Sequence, residues 1–402
     1  MAATTMNPFS DLPYELLSMI NEYAADWVSL ESLIHMSPPV ATLFHPGDNP
    51  DAEADPEAVR LVETILSTNP IMSHRIHIHF RMCAQARQLS LTRGALRDLD
   101  TYDYDSIHFS PISRSILREM VGVAANIQRL VCVCLTSLFA RLRAVKPQCW
   151  DRDDTGRLDR SSMFTPQDRG AGSWVEEYRV YRALWLLQWS ADSQCACTQL
   201  KQERRTTRKQ GHYLCQEAYA VFKCLQSIYQ DSTRFGSLSN SYSLNAMPRI
   251  TQMPDASNIP FKFPVWAPPP RPEIPCNTDI WLRGASATSR NDVLDTWPRI
   301  QDYCRLKSRN LDQKSVFKDQ QPFWDLGILL WDGWRLHGLG LWHAIVYWKG
   351  SPSGGSILPG DYIPNDPWQA MYRWPAFLRG HVAKGKKNTP NANRGWGGRR
   401  AI

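Results

Sequence analysis

The chain lacks an apolar run long enough to form a typical membrane-spanning helix. Its longest apolar stretch, LVCVCLTSLFA between Arg129 and Arg141, has eleven residues, whereas a bilayer requires about 20. The opening sequence MAATTMNPFSDLP also has neither the basic nor the apolar segment of a secretory signal. We therefore expect no membrane partner and a cytoplasmic or nuclear location.

The sequence also lacks a C-x-x-C motif, although it contains ten cysteines. Its close pairs are Cys132/Cys134 and Cys195/Cys197. Residues two apart on a helix point about 200° away from each other, so neither pair can hold one metal ion there. We expect free thiols in a reducing compartment, with Cys132 and Cys134 acting as small apolar residues of a core helix.

Motifs of nucleotide-binding proteins and hydrolases are missing as well. The segment GAGSWV has no third glycine for a dinucleotide fingerprint, Gly385-Lys386 lacks the Walker spacing, and GSPSGGS does not place a serine as G-x-S-x-G does. We therefore expect no catalytic residues and no cofactor, although an enzyme whose groups are scattered along the sequence stays a weaker alternative.

Three histidines and two acidic clusters are the candidates for a metal site. His74, His77 and His79 do not share one face on either a helix or a strand. The acidic residues at 103–105 and 151–154 lack the glycine-containing pattern of a calcium loop. We expect a mixed-face histidine cluster and solvated turns, and therefore no metal.

The formal net charge of +7 is concentrated at one end of the chain. Residues 379–402 contain seven Lys or Arg and no Asp or Glu, so the remaining residues are formally neutral. The composition of this tail predicts disorder, and RGWGGRR combines guanidinium groups with an indole that could stack on a base. Nucleic acid binding by the tail is therefore an alternative function.

Periodicity elsewhere predicts a mainly α-helical protein with an irregular helical body. Helices are expected from about Glu57 to Leu66, Pro111 to Val145 and Gly211 to Tyr229. One aromatic stripe is expected along a further helix: Trp174, Tyr178, Tyr181, Trp185 and Trp189. Residues 231–290 contain nine prolines and predict an irregular Pro-rich connector.

The C-terminal part of the body is rich in tryptophan, with seven of the sixteen tryptophans between 321 and 378. The pairs Trp324-Asp325 and Trp331-Asp332 lie seven residues apart. This spacing favours one helix over propeller blades, which repeat at about 40 residues. The predicted divisions are 8–46, a small N-terminal helical unit; 57–230, the helical body; 231–290, the connector; 291–378, the Trp-rich part of the body; and 379–402, the tail.

The segment DLPYELLSMI predicts a helix that begins near Asp11 and Pro13. Apolar residues recur on one face at steps of three and four: Leu16, Leu17, Ile20 and Tyr23. The side expected to face outward is polar: Glu15, Asn21 and Glu22. A second helix through 28–34 should stop at Pro38-Pro39, before a third apolar segment with Val40, Leu43 and Phe44.

Three short helices in so few residues cannot bury their own apolar faces well. The apolar side of the first helix must therefore be covered by another protein or by the rest of this chain.

The residues Leu12-Pro13, Leu16-Leu17, Ile20, Leu30, Leu33 and Ser37-Pro38 make residues 9–44 resemble an F-box in the diverged form common in filamentous fungi. The segments YRVYRALWLLQ and FWDLGILLWDGWRLHGLGLW are similar to parts of large fungal F-box-like proteins. The third helix departs from the family pattern, because Pro38-Pro39 precede it and it is short.

The resemblance implies a non-catalytic adaptor that joins a Skp-type protein of a cullin-RING ubiquitin ligase to a protein target. The target would be held by the aromatic-rich body. By the same resemblance, the Skp-type adaptor would contact Leu12, Pro13, Leu16, Leu17, Ile20, Leu30 and Leu33.

The alternative function, nucleic acid binding by the tail at 379–402, makes its own prediction. If the tail binds RNA or DNA, deletion of residues 380–402 should weaken binding and reduce the slope of log affinity against log salt, because fewer counterions are released. Titration of the full-length and truncated chains at several salt concentrations measures that slope, and equal slopes would exclude the tail as the binding element.

Overall fold

The structure is a computed structural model of the 402-residue chain. It describes residues 9, 12–45, 47, 49, 51–92, 112–145, 150–152, 158–163, 165–199, 212–229, 250, 252–259, 261–270 and 323–339. The predictions for 103–105, 291–322 and the tail lie outside these residues, as does Asp11.

The described residues are mainly helical, which confirms the predicted fold class. The α-helices are α1 Tyr14–Ala24, α2 Trp27–Met36, α3 Pro38–Leu43, α4 Pro56–Thr68, α5 His77–Thr92, α6 Arg114–Ala144, α7 Trp174–Gln199, α8 His212–Tyr229 and α9 Gly333–Gly338. One antiparallel pair, β1 Trp150–Arg152 and β2 Leu158–Met163, was not expected from the sequence.

The chain divides into two compact units. The first comprises Met1–Arg141 and Arg169–Arg335, and the second comprises Leu142–Asp168 and Leu336–Ile402. The second unit contains the β-strand pair and an exposed ion pair between Arg143 and Asp168. All features considered below belong to the first unit.

Local capping explains where the N-terminal helices begin. The side chain of Asp26 accepts a hydrogen bond from the backbone N–H of Ser29 at 3.0 Å, which caps α2. Pro38 and Pro39 occupy the first turn of α3, where a missing N–H leaves no hydrogen bond unmade. The proline pair therefore begins the third helix as well as separating it from the second.

Helix α6 is the long core helix of the first unit. Cys132 and Cys134 are buried in it, as predicted. By length and composition alone, α6 is apolar enough to cross a membrane. The apolar run predicted from the sequence is shorter than this helix, because it counts only the residues between Arg129 and Arg141. About two thirds of the apolar window of α6, 67%, is buried inside the chain, as in the core helix of a folded domain.

A column of aromatic rings connects α2 to α5 and α7. Trp27 stacks on Phe80 with 5.2 Å between ring centroids and 8° between planes, and Phe80 meets Trp185 edge-on at 5.7 Å. All three rings are almost completely buried. The predicted aromatic stripe of α7 is buried along its whole length, from Trp174 to Trp189.

The two Trp-Asp pairs do not lie on one helix, so that prediction is wrong. Gly327 adopts a left-handed conformation, with φ of 62°, and breaks the chain between Trp324 and Trp331. An added Cβ at this glycine would lie 3.1 Å from Leu138, so the chain turns where it approaches α6 closely.

The histidine segment forms a π-type turn, Met72–Ile76, followed by α5. Arg75 has a positive φ of 69°, so the element is less regular than the sequence suggested. His74 hydrogen bonds to the carbonyl of Pro70, and His77 to that of Met72. Among the described residues, no group of three potential metal ligands is present.

The aromatic column predicts which truncations unfold the protein. Phe80→Ala should reduce the free energy of unfolding by about 3–5 kcal/mol, because it leaves a cavity between two indoles. Urea denaturation of the full chain measures this loss. Tyr23→Ala is the control, since Tyr23 is 96% exposed and its truncation should change stability by less than about 0.5 kcal/mol. Equal losses for the two variants would contradict the role of the column.

Candidate functional site

Helix α1 packs against the chain through a mixed apolar and polar face and leaves most of its large apolar side chains exposed. Its buried residues are Leu17, Ser18 and Asn21. Four large apolar side chains face solvent, with exposed fractions of 44% for Leu16, 61% for Met19, 38% for Ile20 and 96% for Tyr23. Positions 16, 19, 20 and 23 lie on one helix face. We call these four side chains the α1 stripe.

Polar contacts with α4 and its C-terminus hold α1 in this orientation. The Asn21 amide donates to the carbonyl of Leu61 at 3.4 Å, and the Asn69 amide donates to the carbonyl of Ala25 at 2.7 Å. Ala25 has a left-handed conformation that ends α1. The prediction that Asn21 faces outward is therefore wrong, whereas Glu15 and Glu22 are exposed as predicted.

This arrangement leaves hydrophobic stabilisation unused. A fully buried Leu or Ile side chain contributes about 1.5–3 kcal/mol through the hydrophobic effect. Here Leu16 and Ile20 remain partly exposed while Ser18 and Asn21 are buried beside Leu17. Contiguous exposed apolar surface of this kind is typical of an interaction site.

The residues expected to contact an adaptor fall into two groups. Leu17, Leu30 and Leu33 are buried inside this chain, at 1%, 0% and 5% exposure, and so contribute to its own core. Pro13, Leu16 and Ile20 are exposed, and Leu12 is half-buried. The expectation that the whole set stays uncovered is therefore wrong for the three buried leucines.

Two exposed methionines were missed by the sequence analysis. Met19 lies within the α1 stripe, and Met36, at the end of α2, is 42% exposed. The spacing of Met19 between Leu16 and Tyr23 is the signal that could have identified it. Methionine is common at surfaces that bind partners, because its flexible thioether adapts to different shapes.

A polar network lies beside the α1 stripe. Tyr14 donates to Glu57 at 3.0 Å, and Arg60 donates to the same carboxylate oxygen at 2.8 Å and to Ser18 at 3.0 Å. Hydrogen bonds from Arg60 and Tyr14 lower the pKa of Glu57, while burial raises the pKa of Tyr14. The network positions α1 on α4, but its exposure makes its contribution to stability small.

Gln128 of α6 joins the N-terminal helices to the body. Its carbonyl oxygen accepts from the backbone N–H of Trp27 at 2.9 Å, and its amide donates to Asp26 at 3.1 Å and to the carbonyl of Trp266 at 3.2 Å. Gln128 is buried. The start of α2 is therefore held by a side chain from the core helix.

Helix α7 carries several buried charged side chains. Arg335 forms a bidentate pair with Glu176 at 2.7 and 3.0 Å, and Arg182 pairs with Glu217 at 2.6 Å. Burial and the Asp332 carboxylate raise the pKa of Glu176 to about 7, although Arg335 lowers it. These side chains pair with one another inside the core, which is a structural arrangement.

Comparisons with known proteins found no match: no family model, no curated protein and no solved structure is similar to this chain. The α1 stripe is therefore interpreted from its own geometry and from the resemblance of residues 9–44 to an F-box.

The orientation of α1 predicts opposite results for adjacent leucines. Leu16→Glu should change the free energy of unfolding by less than about 0.5 kcal/mol, because its side chain already contacts water. Leu17→Glu should lower it by more than about 4 kcal/mol, because it places a carboxylate in the core. Urea denaturation of the two variants measures the difference, and a large loss in Leu16→Glu would show that the stripe is covered by this chain.

Proposed function

We propose that the chain is a non-catalytic substrate-recognition adaptor of a Skp-cullin-F-box type ubiquitin ligase. The α1 stripe, together with neighbouring exposed residues, docks on a Skp-type adaptor protein, and another surface of the chain holds a protein target. The observation that carries this proposal is the orientation of α1, which leaves four large apolar side chains exposed while Ser18 and Asn21 are buried.

The resemblance to an F-box supports the choice of partner. It covers the same three helices that carry the exposed apolar side chains, and Leu12-Pro13 lie immediately before α1. An amphipathic helix that lays its apolar side chains against a partner is a common mode of protein recognition.

The size of the surface indicates that docking must extend beyond α1. Stable interfaces bury about 800 Å² on each partner, which is more than one short helix face supplies. Pro13, Met36, Pro38 and Pro39 are exposed on the same three-helix segment. We include them in the proposed contact surface, whereas Leu17, Leu30 and Leu33 support it from below.

The aromatic side chains of α7 do not supply the target-binding surface, because they are buried. In the described part of the chain, the large exposed apolar residues outside α1 and α2 are Phe261 and Val265. Target recognition is therefore assigned to surfaces other than the aromatic core, and the target is a protein of unknown identity.

Binding of the full chain to a purified Skp-type adaptor tests the proposal. Leu16→Glu and Ile20→Glu should each weaken the affinity at least about tenfold, because a charged group must be desolvated in the interface. Isothermal titration calorimetry with the wild-type chain gives the reference affinity.

Phe261→Ser is the matched control, because it removes an apolar side chain whose exposed fraction is similar to those of Leu16 and Ile20 but which lies far from α1 in the sequence. It should leave the affinity for the adaptor unchanged. Absence of binding by the wild-type chain, or equal loss in Phe261→Ser, would overturn the proposed function.

A further inference from the structure

A proline-rich segment lies across α6 and α7 and is hydrogen bonded to them through one residue. Residues 261–270, which we call the strap, contain no helix or strand. Within the strap, the hydrogen bonds to the helices are made by Trp266. Its neighbours Pro264, Val265 and Ala267 are exposed.

Each polar group of Trp266 contacts the helices. Its indole N–H donates to Glu177 at 2.8 Å, its backbone N–H donates to the Cys132 sulfur at 3.5 Å, and its carbonyl accepts from Gln128 at 3.2 Å and from the Cys132 thiol at 3.8 Å. Release of this residue would therefore break the strap's hydrogen bonds to the helices, leaving the buried Pro268 as its remaining packing contact.

The carboxyl group of Glu177, which accepts the hydrogen bond from the Trp266 indole, lies where a negative charge is unfavourable. Glu177 is 3% exposed, and its second oxygen, Oε2, has no hydrogen-bond partner among the described residues. The titratable groups that face it are Glu176 and Tyr181 of its own helix and Cys132 of α6. None of these three carries a positive charge, unlike the partners of Glu176 and Glu217.

Burial raises the pKa of Glu177 to about 8, and the Glu176 carboxylate adds to this increase, although the Trp266 hydrogen bond opposes it. At neutral pH Glu177 is therefore protonated while the strap covers it. A neutral carboxyl group still accepts the indole hydrogen bond through its carbonyl oxygen, so protonation and closure are compatible.

We propose that Trp266 is a proton-controlled latch, which protonated Glu177 holds closed over α6 and α7 and which ionisation of Glu177 opens, exposing Cys132 to solvent. The latch goes beyond the proposed adaptor function and does not depend on it. In this proposal the strap has two positions, a closed one that covers Cys132 of α6 and an open one that exposes it to solvent.

The direction of the pH dependence follows from proton linkage. Opening brings Glu177 into water, where its pKa returns to the ordinary value of 4.5, whereas the closed state holds the proton up to about pH 8. Between these values opening releases one proton, so the opening equilibrium constant rises about tenfold per pH unit. Above about pH 8 both states are ionised and the constant levels off.

Cys132 is a built-in reporter of the open state. It is 1% exposed below Trp266, and burial raises the pKa of its thiol to about 12. Opening the strap returns the thiol to water. The labelling rate then follows the opening constant multiplied by the thiolate fraction, which itself rises about tenfold per pH unit below the ordinary thiol pKa.

The experiment is alkylation of the full chain with iodoacetamide at several pH values, with labelling at each cysteine measured by peptide mass spectrometry. The reagent concentration is kept low enough for the rate to be first order in reagent. In the wild-type chain, the logarithm of the Cys132 rate should rise by about two per pH unit from pH 6 to near pH 8, and by about one from there to the ordinary thiol pKa, above which it levels off. In Glu177→Gln it should rise by about one per pH unit over the whole range below the thiol pKa.

Two other buried thiols separate latch opening from global unfolding. Cys134 lies two residues further along α6 and Cys224 lies in α8, and both are fully buried. They should label much more slowly than Cys132. Labelling of all three at one rate would mean that Cys132 is reached by unfolding, and would overturn the latch.

Two variants complete the test. Trp266→Phe removes the indole donor and should raise the Cys132 rate at pH 6, whereas Glu57→Gln changes a carboxyl group at the surface and should leave the wild-type profile intact. A wild-type slope of one over the whole range, or a slope of two retained in Glu177→Gln, would overturn the proposal.

Discussion

The stacking of Trp27 on Phe80 is the contact on which the rest of the arrangement depends. Three short N-terminal helices cannot bury their own apolar surface, so they gain stability where a ring of α2 stacks on Phe80 of α5, which in turn meets Trp185 of α7. Gln128 holds the first residues of α2 at the same place. With α2 fixed and α4 packed on Asn21, one side of α1 remains available to solvent, and it carries the α1 stripe together with Glu15 and Glu22.

The same core explains the buried charges. Helix α7 is surrounded by other elements, so the charged residues on it cannot reach water and must find partners inside the chain. Arg182 and Glu176 do so through Glu217 and Arg335. Among the described residues, the hydrogen-bond donor to the Glu177 carboxyl group is the indole of Trp266, and the proposed latch makes the protonation of Glu177 and the position of the strap parts of one equilibrium.

The two unusual features of the molecule meet at Gln128. Its side-chain carbonyl oxygen accepts from the backbone N–H of Trp27 at the start of α2, and its side-chain NH₂ group donates to Asp26 and to the carbonyl of Trp266. The side chain that orients the N-terminal helices is therefore also a contact of the strap. The proposed docking surface on α1 and the proposed latch at Trp266 are compatible in one chain, because the aromatic column holds α2 through contacts that do not involve the strap.

The sequence alone determined where most helices lie and which helices form the core. Capping residues, prolines and apolar periodicity located α1, α4, α6 and α8, and the aromatic spacing identified α7 as a helix with an aromatic stripe, because these signals act between residues close in the chain. They did not locate the β-strand pair or the turn at Gly327. The turn depends on close approach to Leu138 of another helix.

Only the tertiary structure decided the role of individual side chains. Leu16 and Leu17 are adjacent and equally apolar, and periodicity cannot say which of them faces the core, since the answer depends on where α4 packs. The isolation of Glu177 likewise comes from a strap that is 89 residues away from it in the sequence. The local sequence pattern therefore established the helices. Contacts between distant segments determined which surface is exposed to solvent and which buried carboxyl group, that of Glu177, has no positively charged partner among the described residues.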